Sequence, residues 1–145
     1  MYSKQENQKL KQEFWVTFAE KYPRKWLLYD TKIKDFSFKF FVDNTKAQVI
    51  IDIEHRSEEK RLAYFEKILS VKNILEDEFI KDLVYQKNYT LDNGKTITRI
   101  WVEKLQVSVS NQKYWNEIFA FFNEKMDALE EFYSQYDDYI KDIEN

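Results

Sequence analysis

The 145-residue chain is predicted to fold as an α+β protein: an antiparallel sheet of two β-hairpins, plus a short extra strand, covered on one face by three helices. Three observations carry that prediction. Phe36 to Val42 and Ala47 to Ile53 are apolar, strand-like runs about a polar break, Asp43-Asn44-Thr45-Lys46, as two strands and their turn would be. Asp92-Asn93-Gly94 signals a second hairpin between the runs Leu83 to Leu91 and Thr96 to Val102. Apolar residues recur at helical spacing near both ends of the chain and between the hairpins.

The first helix is expected to open at Ser3, with Glu6 completing a capping box. It presents Leu10, Phe14, Phe18 and Tyr22 on one face until Pro23 ends it. Trp26 to Tyr29 is a short apolar run compatible with strand, helix or loop. In the first hairpin, pairing Asp43 with Lys46 sets Phe36 against Ile53, Phe38 against Ile51, Phe40 against Val49 and Val42 against Ala47. Every pair on that face is apolar, and a slip of one residue would carry half of those side chains to the wrong side, so burial should fix this register.

A helix follows from Ser57, its cap, to about Phe79, with Glu58 and Glu59 in its first turn and Leu62, Phe65, Ile68, Leu69 and Leu75 facing inward. The second hairpin leaves two registers open. A two-residue Asn-Gly turn sets Leu91 against Thr96, whereas a three-residue loop with Gly94 in a bulge sets Tyr85 by Trp101 and Tyr89 by Ile97. The second is preferred because it gathers aromatic and branched residues on one face. After a short strand at Leu105 to Val109, Ser110 or Asn111 caps a last helix carrying Trp115, Ile118, Phe119, Phe122, Met126, Leu129, Phe132, Tyr136 and Ile140 at helical spacing. Some thirty residues of helix span about 45 Å, against a diameter of about 40 Å for a compact chain of this size. The far turns are therefore expected to outrun the domain. Tyr133, Tyr136, Tyr139 and Ile140 would then form a partner surface, the plainer reading being a fraying acidic tail.

Composition excludes much. Leu, Ile, Val and Phe supply 42 of the 145 residues, well above the roughly 20% below which disorder is expected. No repeat or linker marks a boundary, so residues 1–145 read as one domain. With 23 basic and 26 acidic side chains the net charge is −3, which does not favour nucleic acid as a partner. The absence of cysteine excludes disulfides and thiolate metal sites, and the single histidine excludes multi-histidine sites. The one glycine, Gly94, leaves no room for a glycine-rich phosphate loop. The opening MYSKQENQKL has no apolar leader, and no apolar stretch is long enough to span a membrane, so a cytoplasmic location is expected.

Taken together, MYSKQENQKLKQEFW, FSFKFFVDNTKAQVIIDIEH, DNGKTITRIWVE and YWNEIFAFFNEKMDALEEFY resemble, in that order and over nearly the whole chain, a bacterial family known as domain of unknown function 4268. These are scaffold-like patterns, and the resemblance implies no assigned activity. Members of the family look like both stand-alone chains and C-terminal parts of larger proteins, some beside nuclease-like segments.

One polar constellation stands out. Opposite the phenylalanine stripe, Asp52 and Glu54 project from the same side of their strand, and the register sets Lys39 diagonally next to Asp52. Two carboxylates can hold Mg²⁺, and a lysine beside them can stabilise charge on a phosphoryl group. The element order also resembles the core of restriction-endonuclease-like nucleases, which place an Asp and a Glu-x-Lys on neighbouring strands. Here Asp52-Ile53-Glu54 is followed by His55-Arg56, so that lysine is missing. The plainer reading is a solvated sheet face with modest ion pairs. His55, between a strand and a helix, suits a general base or metal ligand, and equally a solvated loop residue. Lys21, Arg24, Lys25, Lys32 and Lys34, interleaved with Tyr22, Trp26 and Tyr29, suggest a track for single-stranded nucleic acid, or else ordinary surface cations around core rings. The function expected first is a non-catalytic protein-binding or assembly module without cofactor, acting as a homo-oligomer or with a protein partner. A divergent Mg²⁺-dependent nuclease using Lys39, Asp52 and Glu54 is the alternative.

Overall fold

The structure, a computed structural model, describes residues 2–143. Helix α1 spans Lys4–Lys21 and is capped as its sequence demands: the Ser3 hydroxyl accepts from the Glu6 amide while the Glu6 carboxylate accepts from the Ser3 amide. Phe14 and Phe18 are buried, and Leu10 and Tyr22 pack at the margin of the core. Trp26 to Tyr29 is irregular rather than a strand, with Leu28 in the left-handed region at φ 46°.

Strands β1 (Phe36–Val42) and β2 (Lys46–Ile53) pair in the expected register, Phe36 with Ile53 through Val42 with Ala47. The Asp43 carboxylate nucleates the turn by accepting from the amides of Thr45 and Lys46. The helix expected from Ser57 to Phe79 is two helices, α2 (Glu58–Ser70) and α3 (Lys72–Glu78), so the chain has four α-helices rather than three among the described residues. The break falls at Val71, whose ψ of 17° leaves helical geometry, and the Ser70 hydroxyl donates back to the Lys67 carbonyl at the final turn of α2. The buried residues of α2 are Arg61, Tyr64, Phe65 and Ile68; Phe65 and Ile68 face inward as expected, as does Leu75 of α3, while Leu62 and Leu69 are half-buried.

Strands β3 (Val84–Thr90) and β4 (Thr96–Leu105) form the second hairpin, and the antiparallel sheet runs β1-β2-β4-β3. Its loop is the three-residue form: the Leu91 amide donates to the Lys95 carbonyl, the Gly94 amide to the Leu91 carbonyl, and Gly94 sits at φ 87°. Tyr89 faces Ile97 as expected, whereas Tyr85 faces Ile100 and Val84 takes the place opposite Trp101. An irregularity between Gln86 and Tyr89 shifts the register by one residue. Buried Arg61 fills it, donating to the Lys87 carbonyl and Thr98 hydroxyl, each at 2.7 Å, and to the Asn88 side chain.

No separate strand follows at Leu105 to Val109. β4 itself reaches Leu105, Gln106 turns at φ 61°, and the amides of Gln106, Val107 and Val109 donate to Thr45 and Asp43 carbonyls of the first hairpin's turn. Asn111 caps a short 3₁₀ turn, Gln112–Tyr114, which leads into α4 (Trp115–Lys141). Rings from three helices meet the phenylalanine face of β1: Phe18 of α1 and Phe122 of α4 against Phe40, Tyr64 of α2 against Phe36, and Tyr133 of α4 against Phe36 and Phe38. One buried cluster joins these rings to Val49, Ile51, Ile53, Ile100 and Val102 of the central strands.

Candidate functional site

The other face of the sheet, carrying Ser37, Lys39 and Phe41 of β1, bears the polar constellation. Strand alternation puts Asp52 there, and pairing of β2 with β4 sets Asp52 directly opposite Arg99. Arg99 donates from Nε to one Asp52 oxygen at 2.7 Å and from Nη2 to the other at 2.8 Å. Lys39 adds its ammonium at 2.8 Å from Asp52 and 3.1 Å from Glu54, and Lys95 approaches Glu54 at 4.0 Å. Arg99 in turn lies over the Tyr89 ring, 4.4 Å from its centroid. One row of contacts therefore crosses all four strands.

This network corrects the expectation of a solvated face. Asp52 is 0% exposed, and Ile50 and Ile97 are buried outside the main core cluster. The Ser37 hydroxyl, also buried, has no hydrogen-bond partner. Burial opposes the charge of Lys39, but the hydrogen bonds and charges of Asp52 and Glu54 outweigh it and hold the ammonium above its usual pKa. The hydrogen bond to Asp52, helped by its charge, does the same for Arg99 against the cost of burial.

Chemically the arrangement is closed. Two carboxylates meet three cations, both Asp52 oxygens are occupied, and Lys39 is held protonated, so it is unsuited to act as a base. A divalent ion at Asp52 and Glu54 would have to displace Lys39 and loosen Arg99. Among the described residues no group of three or more His, Asp or Glu side chains is placed to hold a metal. Lys39, Asp52 and Glu54 do meet, as the register implied, but Arg99 is the residue that sequence reasoning missed. The signal was present: a lone arginine within Thr-Ile-Thr-Arg-Ile-Trp-Val needs a carboxylate once that strand is central.

The remaining candidates fall elsewhere. His55 is buried, stacked on Tyr64 with centroids 4.8 Å apart, and its Nδ1 has no partner. Burial lowers its pKa, with the nearby Asp35 charge opposing. The basic segment is largely paired: Arg24 with Asp127 and Glu130, Lys32 with Asp30, and Lys21 with the Asn116 side chain. The far end of α4 does not outrun the molecule. Ile140 is 0% exposed and Tyr133 is buried with its hydroxyl on the Thr31 carbonyl. Tyr136 stacks on Phe132, and Tyr139, the exposed member, bonds the Ser70 hydroxyl. Of the four residues expected at a partner surface, Tyr133 and Ile140 therefore lie in the core, Tyr136 is half-buried and Tyr139 is exposed.

Among the described residues no helix is long and apolar enough to cross a membrane. Searches of curated proteins and of solved structures returned no match. A family profile described as a domain of unknown function matches residues 10–137, a span that holds the whole sheet and every residue of the ionic row. The chain therefore belongs to the domain of unknown function 4268 family.

Proposed function

We propose that the chain is a non-catalytic, cytoplasmic protein-binding module whose contact surface is strand β1 and its flanks. One observation carries this reading. Of the exposed aromatic residues, Tyr2, Trp15, Tyr29, Phe41 and Tyr139, three adjoin this edge strand: Trp15 and Tyr29 line a groove with Phe38 and Phe40, and Phe41 stands on its other face. Trp15 is 37%, Tyr29 73% and Phe41 39% exposed, and aromatic residues grouped in this way are characteristic of the centres of protein interfaces. In the polar network beside them Asp52 and Glu54 are held by Lys39, Arg99 and Lys95, so its carboxylates offer a partner little chemistry.

Site-directed photocrosslinking in cells tests the reading. A photoreactive phenylalanine analogue at position 29 or 41 is expected to give one discrete protein adduct that disappears in Trp15→Ala, while the same group at positions 2 and 139 gives none. The adduct mass tells a second copy from another chain. Equal labelling from all four positions, or none from 29 and 41, overturns the reading. The Mg²⁺-dependent nuclease using Lys39, Asp52 and Glu54 ranks behind it, because it needs a rearrangement that releases Asp52.

A further inference from the structure

The edge of β1 is partly spoken for and partly open. In an antiparallel pair, backbone groups point alternately toward the partner strand and away from it. The Asp43 amide donates to the Lys46 carbonyl, which fixes the phase: Phe36, Phe38, Phe40 and Val42 direct their backbone groups away from β2. At the start of the strand these groups are taken. The Phe36 amide donates to the Ile33 carbonyl, the Phe36 carbonyl accepts from the Thr31 hydroxyl, and the Phe38 amide donates to the Leu28 carbonyl at 3.0 Å. Beyond that point the Phe38 carbonyl, both groups of Phe40 and the amide of Val42 have no partner among the described residues.

Beside these rungs lies a groove of about 300 Å³, lined by Trp15, Leu28, Tyr29, Phe38, Lys39 and Phe40. The wall that carries Leu28 and Tyr29 is irregular, with Leu28, Lys32 and Asp35 all at positive φ, and Trp26 packs edge-on against Phe40. That wall also carries two cations without an acidic partner. Of its four, Arg24 is paired with Asp127 and Glu130 and Lys32 with Asp30, which leaves Lys25 and Lys34. Lys25 and Lys34 are exposed and enter no direct ion pair among the described residues.

We propose that the open edge of β1 from Phe38 to Val42 captures a short, extended, acidic peptide of a partner protein by strand addition. Its alternate apolar side chains seat in the groove among Trp15, Leu28 and Tyr29. The inference rests on the protein-binding reading and names the site and the chemistry of the partner. An extended backbone is what presents amides and carbonyls at the spacing of the open rungs, and its period of two places every second side chain over the rings. Lys25 and Lys34 select acidic flanks. A second copy fits less well. Leu28 already holds the Phe38 amide, and in a pair of β1 edges each copy would bring its own Leu28–Tyr29 wall to the same rungs.

The test uses the purified full chain and a displayed library of nonapeptides with apolar residues at alternate positions and acidic pairs at both ends. Selected peptides are expected to shift the amide resonances of Phe40 and Val42 and to slow exchange of their hydrogens. Methylating the peptide's backbone amides on the strand-facing side, or changing exposed Tyr29 to Ala, should each weaken binding about tenfold or more. Lys25→Glu with Lys34→Glu should weaken it further as salt is lowered. Peptides that bind without moving Phe40 and Val42, or that tolerate backbone methylation, overturn strand addition while leaving the protein-binding reading standing. Failure to select any peptide above background also overturns it. The broader reading stands or falls separately, on the position dependence of the crosslinks.

Discussion

Arg99 and Asp52 sit directly opposite one another on the two central strands and exchange a two-point ion pair, with Asp52 wholly removed from solvent. Losing one partner strands the other. Arg99→Met is expected to cost about 3 kcal/mol or more in urea denaturation, because a buried carboxylate would be left with Lys39 alone. The double change Arg99→Met with Asp52→Leu should recover most of that loss, since replacing a buried pair by apolar groups is often near neutral. Equal destabilisation by the single and double variants would show that the pair contributes through packing rather than charge.

His55 gives the protein an acid sensitivity. Burial lowers its pKa below the usual value of about 6.5, so the unfolded chain binds a proton more readily than the folded one. Stability linked to this group is therefore intact above about pH 6.5 and is lost as pH falls toward the lowered folded value. The urea midpoint of the wild-type chain should drop between pH 7 and pH 5 more than that of His55→Phe, which keeps an aromatic ring on Tyr64. Parallel curves for the two proteins would remove His55 from the account.

Arg61 is the plug of the β3 irregularity. Its guanidinium serves the Lys87 carbonyl, the Thr98 hydroxyl and the Asn88 side chain at once. Arg61→Met is expected to cost roughly 2–4 kcal/mol, since it removes charge-assisted hydrogen bonds and leaves buried polar groups unpaired. Hydrogen exchange at residues 86–90 should accelerate more than exchange in β1. Uniform acceleration across the sheet would mean that Arg61 stabilises the fold globally instead.

The same residue shows where the sequence stopped being legible. The β1–β2 register follows from local apolar pairing, and the Gly94 loop from the need for a positive φ, so both could be read within a few residues. The register beyond Gln86 could not, because it depends on an arginine on α2 whose spacing looks like that of any helix surface cation. The closed state of Asp52 was hidden for a related reason: two hairpins were visible, but nothing local said that β2 and β4 lie side by side. Length arithmetic also misjudged α4, since packing against α2 and the Thr31 loop buries its far turns.

Magnesium distinguishes the two functional readings. With both Asp52 oxygens occupied, millimolar Mg²⁺ should leave the amide resonances of Asp52, Glu54 and Arg99 unchanged, apart from small nonspecific drift at exposed carboxylates. A saturable shift at Asp52 and Glu54, removed by chelator, would favour the nuclease reading instead. Arg99→Met sharpens the experiment, because it frees carboxylate lone pairs that the wild-type chain does not offer.

The end of α4 separates burial from partnership. Ile140 is fully buried, so Ile140→Asp places an unpaired charge in the core and should cost more than about 4 kcal/mol, with thermal unfolding well below that of the parent. Tyr139 is exposed and touches its own chain through the Ser70 hydroxyl and the Lys67 ammonium, 4.1 Å from its ring centroid. Tyr139→Asp should therefore cost about 1 kcal/mol or less. It should also leave the sedimentation coefficient unchanged at every concentration, because the neighbours of this helix end are supplied within one chain. A mass that falls in Tyr139→Asp at unchanged stability would return the helix end to the role of an assembly surface.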